Sequence, residues 1–185
     1  VRRLIALMGE TVAQVAAKQE GLRVVIPVVP HVHDFVAEAV KDWAVPPTLA
    51  IGDEEKRGAF AAATAAIAAS GTVSLELGLA GIPMVVAYKI DPIAAWSVSR
   101  FLKVPTVVLV NLILDRPSVK EFLQENCRPE DLTAALLPLM NDTEERRLAL
   151  ADLSEMRELM GVGGPSPSAR AANVVLKMLG EYPIA

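Results

Sequence analysis

The sequence predicts an α/β fold, a doubly wound, Rossmann-like parallel sheet with helices on both faces. Two observations carry that reading. Apolar runs rich in β-branched residues, such as residues 22–29 (LRVVIPVV) and 83–90 (PMVVAYKI), lack the polar alternation of a half-exposed strand and read as strands buried on both faces. Segments with apolar residues at helical spacing separate these runs, and right-handed crossovers between parallel strands wind such helices onto both sides of one sheet.

The elements follow in chain order. Residues 2–19 read as a helix, with Leu4, Ile5, Met8, Val12 and Val15 on one stripe and Gly21 just past its end. A strand over 22–29 closes at Pro30, and a short helix follows over 31–42. A strand at 48–51 and a helix at 53–63 come next. The Ala-rich stretch 61–69 is ambiguous by periodicity, and 65–69 is assigned as a strand because Ser70-Gly71 breaks the chain there before a helix over 72–80. After the strand at 83–90, a helix is expected over 92–103, a strand over 106–110 and a short helix over about 118–124. Pro129 opens a helix with Glu130 and Asp131 in its first turn, and two more helices follow at about 143–160 and 167–180.

Composition sets outer limits. The 185 residues suit one domain, over 1–185, with room for a real core. With 52% hydrophobic and only 4% aromatic residues, that core must be built from Ala, Val, Leu and Ile. A net charge of −4 without a basic stripe argues against nucleic acid as the partner and against gripping an anionic membrane by charge alone. One cysteine, Cys127, cannot form an internal disulfide and reads as an inert thiol in a reducing compartment. No apolar run reaches the roughly 18 residues of a membrane span, and no signal peptide is visible. The chain opens directly on a helix, which reads as part of a longer protein.

In a doubly wound sheet, ligands bind beyond the C-terminal ends of the strands. The informative junction is therefore residues 68–77, AASGTVSLEL. Gly71 permits a sharp turn and a close approach of ligand to backbone. The helix behind it aims free N–H groups and a partial positive charge at that spot, which suits a phosphate. Ser70 and Thr72 add hydroxyls, and no lysine sits in the turn, so it is not a Walker-type loop. Glu76 lies one turn after Thr72 and matches no capping-box position, whether Thr72 or Gly71 is the cap. As the lone charge of an apolar helix, its carboxylate suits the two hydroxyls of a ribose. The residues alone leave two readings open, a nucleotide site and a plain strand–helix turn.

The segments ASGTVSLELGLAGIPMVVAYKI, FLKVPTVVLVNLIL and EFLQENCRPEDLTAALLPLM, in that order, resemble the C-terminal half of lipid-A-disaccharide synthases. Ser-Gly-Thr-x-x-Leu-Glu alone is shared with other nucleotide-sugar transferases; the ordered set is far more specific. The resemblance implies the C-terminal, donor-nucleotide-binding domain of a two-domain, GT-B type glycosyltransferase. The implied reaction moves 2,3-diacylglucosamine from its UDP derivative to 2,3-diacylglucosamine 1-phosphate, giving the disaccharide phosphate of lipopolysaccharide biosynthesis and UDP, with no cofactor or metal. It also implies a bacterial, cytoplasmic enzyme peripheral to the inner membrane of a Gram-negative cell. Carried over on matching positions, the UDP-binding residues are Ser70, Gly71, Thr72, Glu76, Asn111 and Gln124, with Arg116 as a donor to the diphosphate. At Arg116 the sequence departs from the family, because Pro117 and Ser118 stand where an acidic residue is expected next. The family's first strand of this domain and its Gly-Ser-Arg turn have no counterpart in the sequence, nor has the N-terminal half with the catalytic carboxylates. No catalytic residue, and no transferase activity, is therefore expected of these residues alone. The alternatives are the donor domain of another UDP-sugar GT-B enzyme, or a non-enzymatic nucleotide-binding module.

Other polar groups have plainer readings. His31, His33 and Asp34 lack a fourth ligand for a metal and read as polar residues at a helix start. Lys89 reads as a solvated loop lysine, Trp96 and Phe101 as core, and 53–57 (DEEKR) as a solvated helix start. The last helix carries an apolar stripe of Ala171, Val174, Val175, Met178 and Leu179, so self-association through it is expected.

Overall fold

The computed structural model describes residues 2–89 and 106–181, with no side-chain detail for Arg2, Arg3, Pro167 and Glu181. The helix expected over 92–103, with Trp96 and Phe101, lies outside the described residues.

The element order is α1 (Arg2–Ala16), β1 (Val25–Val28), α2 (His33–Val40), β2 (Thr48–Ile51), α3 (Gly52–Ala62), β3 (Ala66–Ala69), α4 (Thr72–Leu79) and β4 (Met84–Tyr88). Then come α5 (Leu109–Leu114), β5 (Glu121–Leu123), α6 (Pro129–Met140), α7 (Glu144–Leu159) and α8 (Pro167–Glu181). All strand pairs are parallel: β1 with β2, and β3-β4-β5 with β4 central. The α/β, parallel-sheet architecture is the one the sequence predicts.

β4 shows why an unbroken apolar run forms an interior strand. Its side chains alternate between two cores. Met84 and Val86 join Ala68, Leu77, Val108, Val110, Leu153 and Met156 on one face. Val85 and Ala87 join Leu7, Val15, Leu132, Leu136 and Leu139 on the other. Helices therefore cover β4 on both faces. A third cluster, Val28, Val36 and Val40, packs under β1 and β2 with Ile5, Trp43 and Leu49.

Three expectations are corrected. Residues 106–110, read as a strand, lead instead into α5 (Leu109–Leu114). A short apolar run is compatible with either state, and here Thr106 Oγ1 accepts the Val108 amide just ahead of the first turn. The helix stops where Asp115 adopts a left-handed conformation (φ 51°) and Arg116 N donates to Asn111 O. Residues 118–124, read as a helix, hold β5, whose pairing is entered by Val86 N donating to Lys120 O. The third concerns β1, read as buried on both faces: Val25 and, on its partner β2, Ile51 are 43% and 40% exposed. β1 pairs only with β2 among the described residues, and α3, which packs against both strands, buries none of its own residues there.

Helix starts follow local chemistry. Thr143 Oγ1 accepts the Arg146 amide at the start of α7, and Ser166 Oγ accepts the Ala169 amide at the start of α8. α8 itself is exposed along its length, with Val174, Val175, Leu176, Met178 and Leu179 all above half exposure.

Candidate functional site

The register Ala69↔Ala87 and Tyr88↔Leu123 sets the ends of three parallel strands side by side. Ser70-Gly71 after β3, Lys89 after β4 and Gln124 after β5 thus share one edge, the ligand-binding end of such a sheet. Adjacent strands are about 4.8 Å apart, so the edge from Gly71 to Gln124 spans roughly 10 Å.

At one end of this edge, Gly71 has φ 134° and ψ −162°. That region is open essentially only to glycine. A Cβ placed there would meet no atom within 4 Å, so the turn faces open space. Gly71 is also the N-cap of α4 and, having no side chain, offers no cap to the first amides of that helix. Ser74 Oγ donates to Gly71 O at 2.7 Å, and Ser70 Oγ donates to Val107 O at 3.0 Å, which ties the turn to the segment entering α5. Gly71 and Thr72 are exposed. The result is a solvent-facing turn, tied down through Ser70 and Ser74, at a helix N-terminus, a setting for an anion.

Glu76 projects from α4 beside a cleft of about 310 Å³ lined by Asp53, Lys56, Arg57, Phe60, Glu76 and Leu79. Its Oε2 is paired with Lys56 Nζ from α3. Lys56 Nζ also stands 5.5 Å from the Phe60 ring centroid, within cation–π range. The sequence places Lys56 on a solvated helix start and gives, at that position, no sign of this pairing. The signal pointing to it is Glu76 itself, the lone charge on an apolar helix, for which a cation on the neighbouring helix is a favourable partner.

The other expected site residues are placed differently from one another. Asn111 is buried and works as a clamp: Nδ2 donates to Val119 O at 2.9 Å and Oδ1 accepts Val119 N at 2.7 Å. It pins the loop between α5 and β5. Arg116 lies in that loop, and its guanidinium is held by Glu155 and Asp152 of α7, the latter at 2.6 Å. Those hydrogen bonds raise the guanidinium pKa and hold the Glu155 carboxyl below its ordinary range. Gln124 adopts φ 50° directly after β5. Ser70, Gly71, Thr72 and Glu76 come together on α4 and the turn before it, whereas Arg116 is turned towards α7.

His33 Nδ1 and Asp34 Oδ1 are 2.9 Å apart, and no group of three or more His, Cys, Asp or Glu suited to a metal occurs among the described residues. Cys127 is 1% exposed; burial pushes its thiol pKa up, against a backbone hydrogen bond at Tyr88 and the charge of Lys89. Lys89 is exposed. No described helix is long and apolar enough to cross a membrane.

Comparison with known proteins agrees with the ordered motifs. The family model described as lipid-A-disaccharide synthetase matches residues 1–175. A lipid-A-disaccharide synthase of Rhodospirillum centenum is 44% identical over 185 residues, covering 100% of this chain. Those of Paramagnetospirillum magneticum and Rhodopseudomonas palustris (strain HaA2) are 43% and 40% identical, over 96% and 98% of the chain. The chain spans 46% of the length of each of these three relatives. A match over nearly the whole chain, carried by many relatives at this identity, places it in one family: the chain belongs to the lipid-A-disaccharide synthetases.

Proposed function

We propose that this chain is the donor-nucleotide domain of a lipid-A-disaccharide synthase that transfers 2,3-diacylglucosamine from UDP to 2,3-diacylglucosamine 1-phosphate, releasing UDP. The observation that carries the reading is the glycine-only turn at Gly71 with Glu76 one turn along the same helix. The diphosphate lies over the turn, where the α4 amides, Thr72 and the helix dipole receive it. Concentrating positive potential on the leaving diphosphate is how such a site lowers the barrier without a metal. The ribose diol donates to Glu76. Gln124 closes the far side of the edge, and Asn111 acts through the loop that it pins. Arg116 reaches the diphosphate only by exchanging its α7 carboxylates for phosphate oxygens. The catalytic carboxylates belong to the other half of the full-length enzyme. Its acylated donor and acceptor place the enzyme on the cytoplasmic surface of the inner membrane.

Glu76→Ala in the full-length enzyme tests the ribose assignment. Loss of a hydrogen bond to a charged acceptor weakens UDP binding by about 1–3 kcal/mol. Isothermal calorimetry giving wild-type affinity for the variant would refute it.

The exposed stripe of α8 supports a partner in solution, and a second copy is proposed. Light scattering of residues 1–185 is expected to give a dimer or larger species, and removal of residues 166–185 a monomer. A monomeric parent, or a truncation that leaves the dimer intact, would count against it.

A further inference from the structure

We infer that Lys56 is a positioning residue of the nucleotide site, one that holds the Glu76 carboxylate for the ribose and thereby sets the preference for a ribonucleotide. The inference rests on the assignment of Glu76 to the ribose.

The cleft wall carries Asp53, Lys56, Arg57 and Glu76, two charges of each sign. Glu76 sits on a helix otherwise free of charge, with its side chain 44% exposed, and Lys56 is the cation paired with it. A free glutamate would sample several rotamers, and an acceptor for two vicinal hydroxyls must be held in one. The ion pair supplies that constraint across two elements, α3 and α4, twenty residues apart in sequence. Lys56 is itself fixed from the other side by Phe60, one turn along α3. α3 is anchored in turn where Ile51 N donates to Glu55 Oε2 at 2.7 Å. The pair uses Oε2, and a carboxylate has lone pairs on both oxygens, so ribose hydroxyls and Lys56 can be accommodated together. A bound diphosphate brings negative charge towards Glu76; Lys56 offsets that repulsion. A neutral side chain at position 56 would leave the carboxylate both mobile and uncompensated.

The readout is the ratio of affinities for UDP and 2′-deoxy-UDP, measured by calorimetry on the full-length enzyme. The wild type is expected to favour UDP about tenfold, the scale of one charge-assisted hydrogen bond. Lys56→Met keeps an unbranched chain of similar length but removes the charge. It is expected to weaken UDP binding several-fold and to bring the ratio close to one, while Lys56→Arg keeps the wild-type ratio. In a Glu76→Gln background, Lys56→Met should change nothing further, because its effect passes through Glu76. An unchanged ratio in Lys56→Met, or an equal loss of affinity for both nucleotides, overturns the proposal. A wild-type ratio in Glu76→Gln alone removes the ribose assignment first, and the role of Lys56 falls with it.

Discussion

Met156→Ala is expected to destabilise the domain by about 2–5 kcal/mol, seen as a lower denaturation midpoint with little change in slope. Met156 of α7 is fully buried in the cluster that joins β3 and β4 to α4, α5 and α7. Its neighbours leave no slack. A Cβ added to Gly78 of α4 would meet Met156 Cε at 3.2 Å, Met156 Sδ at 3.3 Å and Val110 Cγ2 at 3.1 Å. α4 therefore approaches α5 and α7 as closely as it does because position 78 lacks a side chain. Truncating Met156 opens a cavity that backbone elements on three sides cannot fill. The same geometry couples the two positions: Gly78→Ala should be less costly in the Met156→Ala background than alone. Independent, additive effects would mean that this contact does not set the helix spacing.

Gly71→Ala is expected to cost about 1–3 kcal/mol of stability, and at least tenfold in UDP affinity of the full-length enzyme. The cause is the backbone and not a clash, since the added Cβ has no atom within 4 Å. At φ 134° and ψ −162° an alanine is strained, and relief requires the peptide before α4 to rotate. Rotation swings the first amides of α4 away from the sheet edge, so nucleotide binding falls together with the melting temperature. Wild-type melting and wild-type affinity in this variant would show that the turn's conformation is not required.

Much of the scaffold can be read from the chain because burial on both faces leaves a plain mark. The apolar run around β4 and the strong helix-start signals at Pro129 and Ser166 each correspond to the element observed. The region 106–124 could not be read in this way. A helix of six residues, Leu109–Leu114, that is largely buried shows neither a polar face nor length, so it looks like a strand. The strand β5 has only three residues and includes Glu121, so it looks like a helix start. The exposure of Val25 and Ile51 was equally hidden, since a β-branched run records what a strand can bury and not what lies beside it.

The site was legible to the extent that glycine and a misplaced charge speak for themselves. Gly71 marks a backbone conformation that no other residue adopts easily, and Glu76 marks a carboxylate with no capping role. The partners of those groups could not be read, because they arrive from distant parts of the chain. Lys56 reaches Glu76 across twenty positions, and Asp152 and Glu155 reach Arg116 across 36 and 39. Asn111, expected at the nucleotide on resemblance, has its amide bonded to the backbone of Val119, a partner eight positions away.

This domain is proposed to serve a transferase whose donor is a diacylated UDP-glucosamine. The direct measurement is release of UDP by the full-length enzyme with 2,3-diacylglucosamine 1-phosphate as acceptor, comparing UDP-2,3-diacylglucosamine with UDP-N-acetylglucosamine as donors. UDP and a disaccharide phosphate are expected from the diacylated donor, and neither from UDP-N-acetylglucosamine. Turnover of UDP-N-acetylglucosamine alone, or of neither donor by an enzyme that binds UDP, would contradict the proposal.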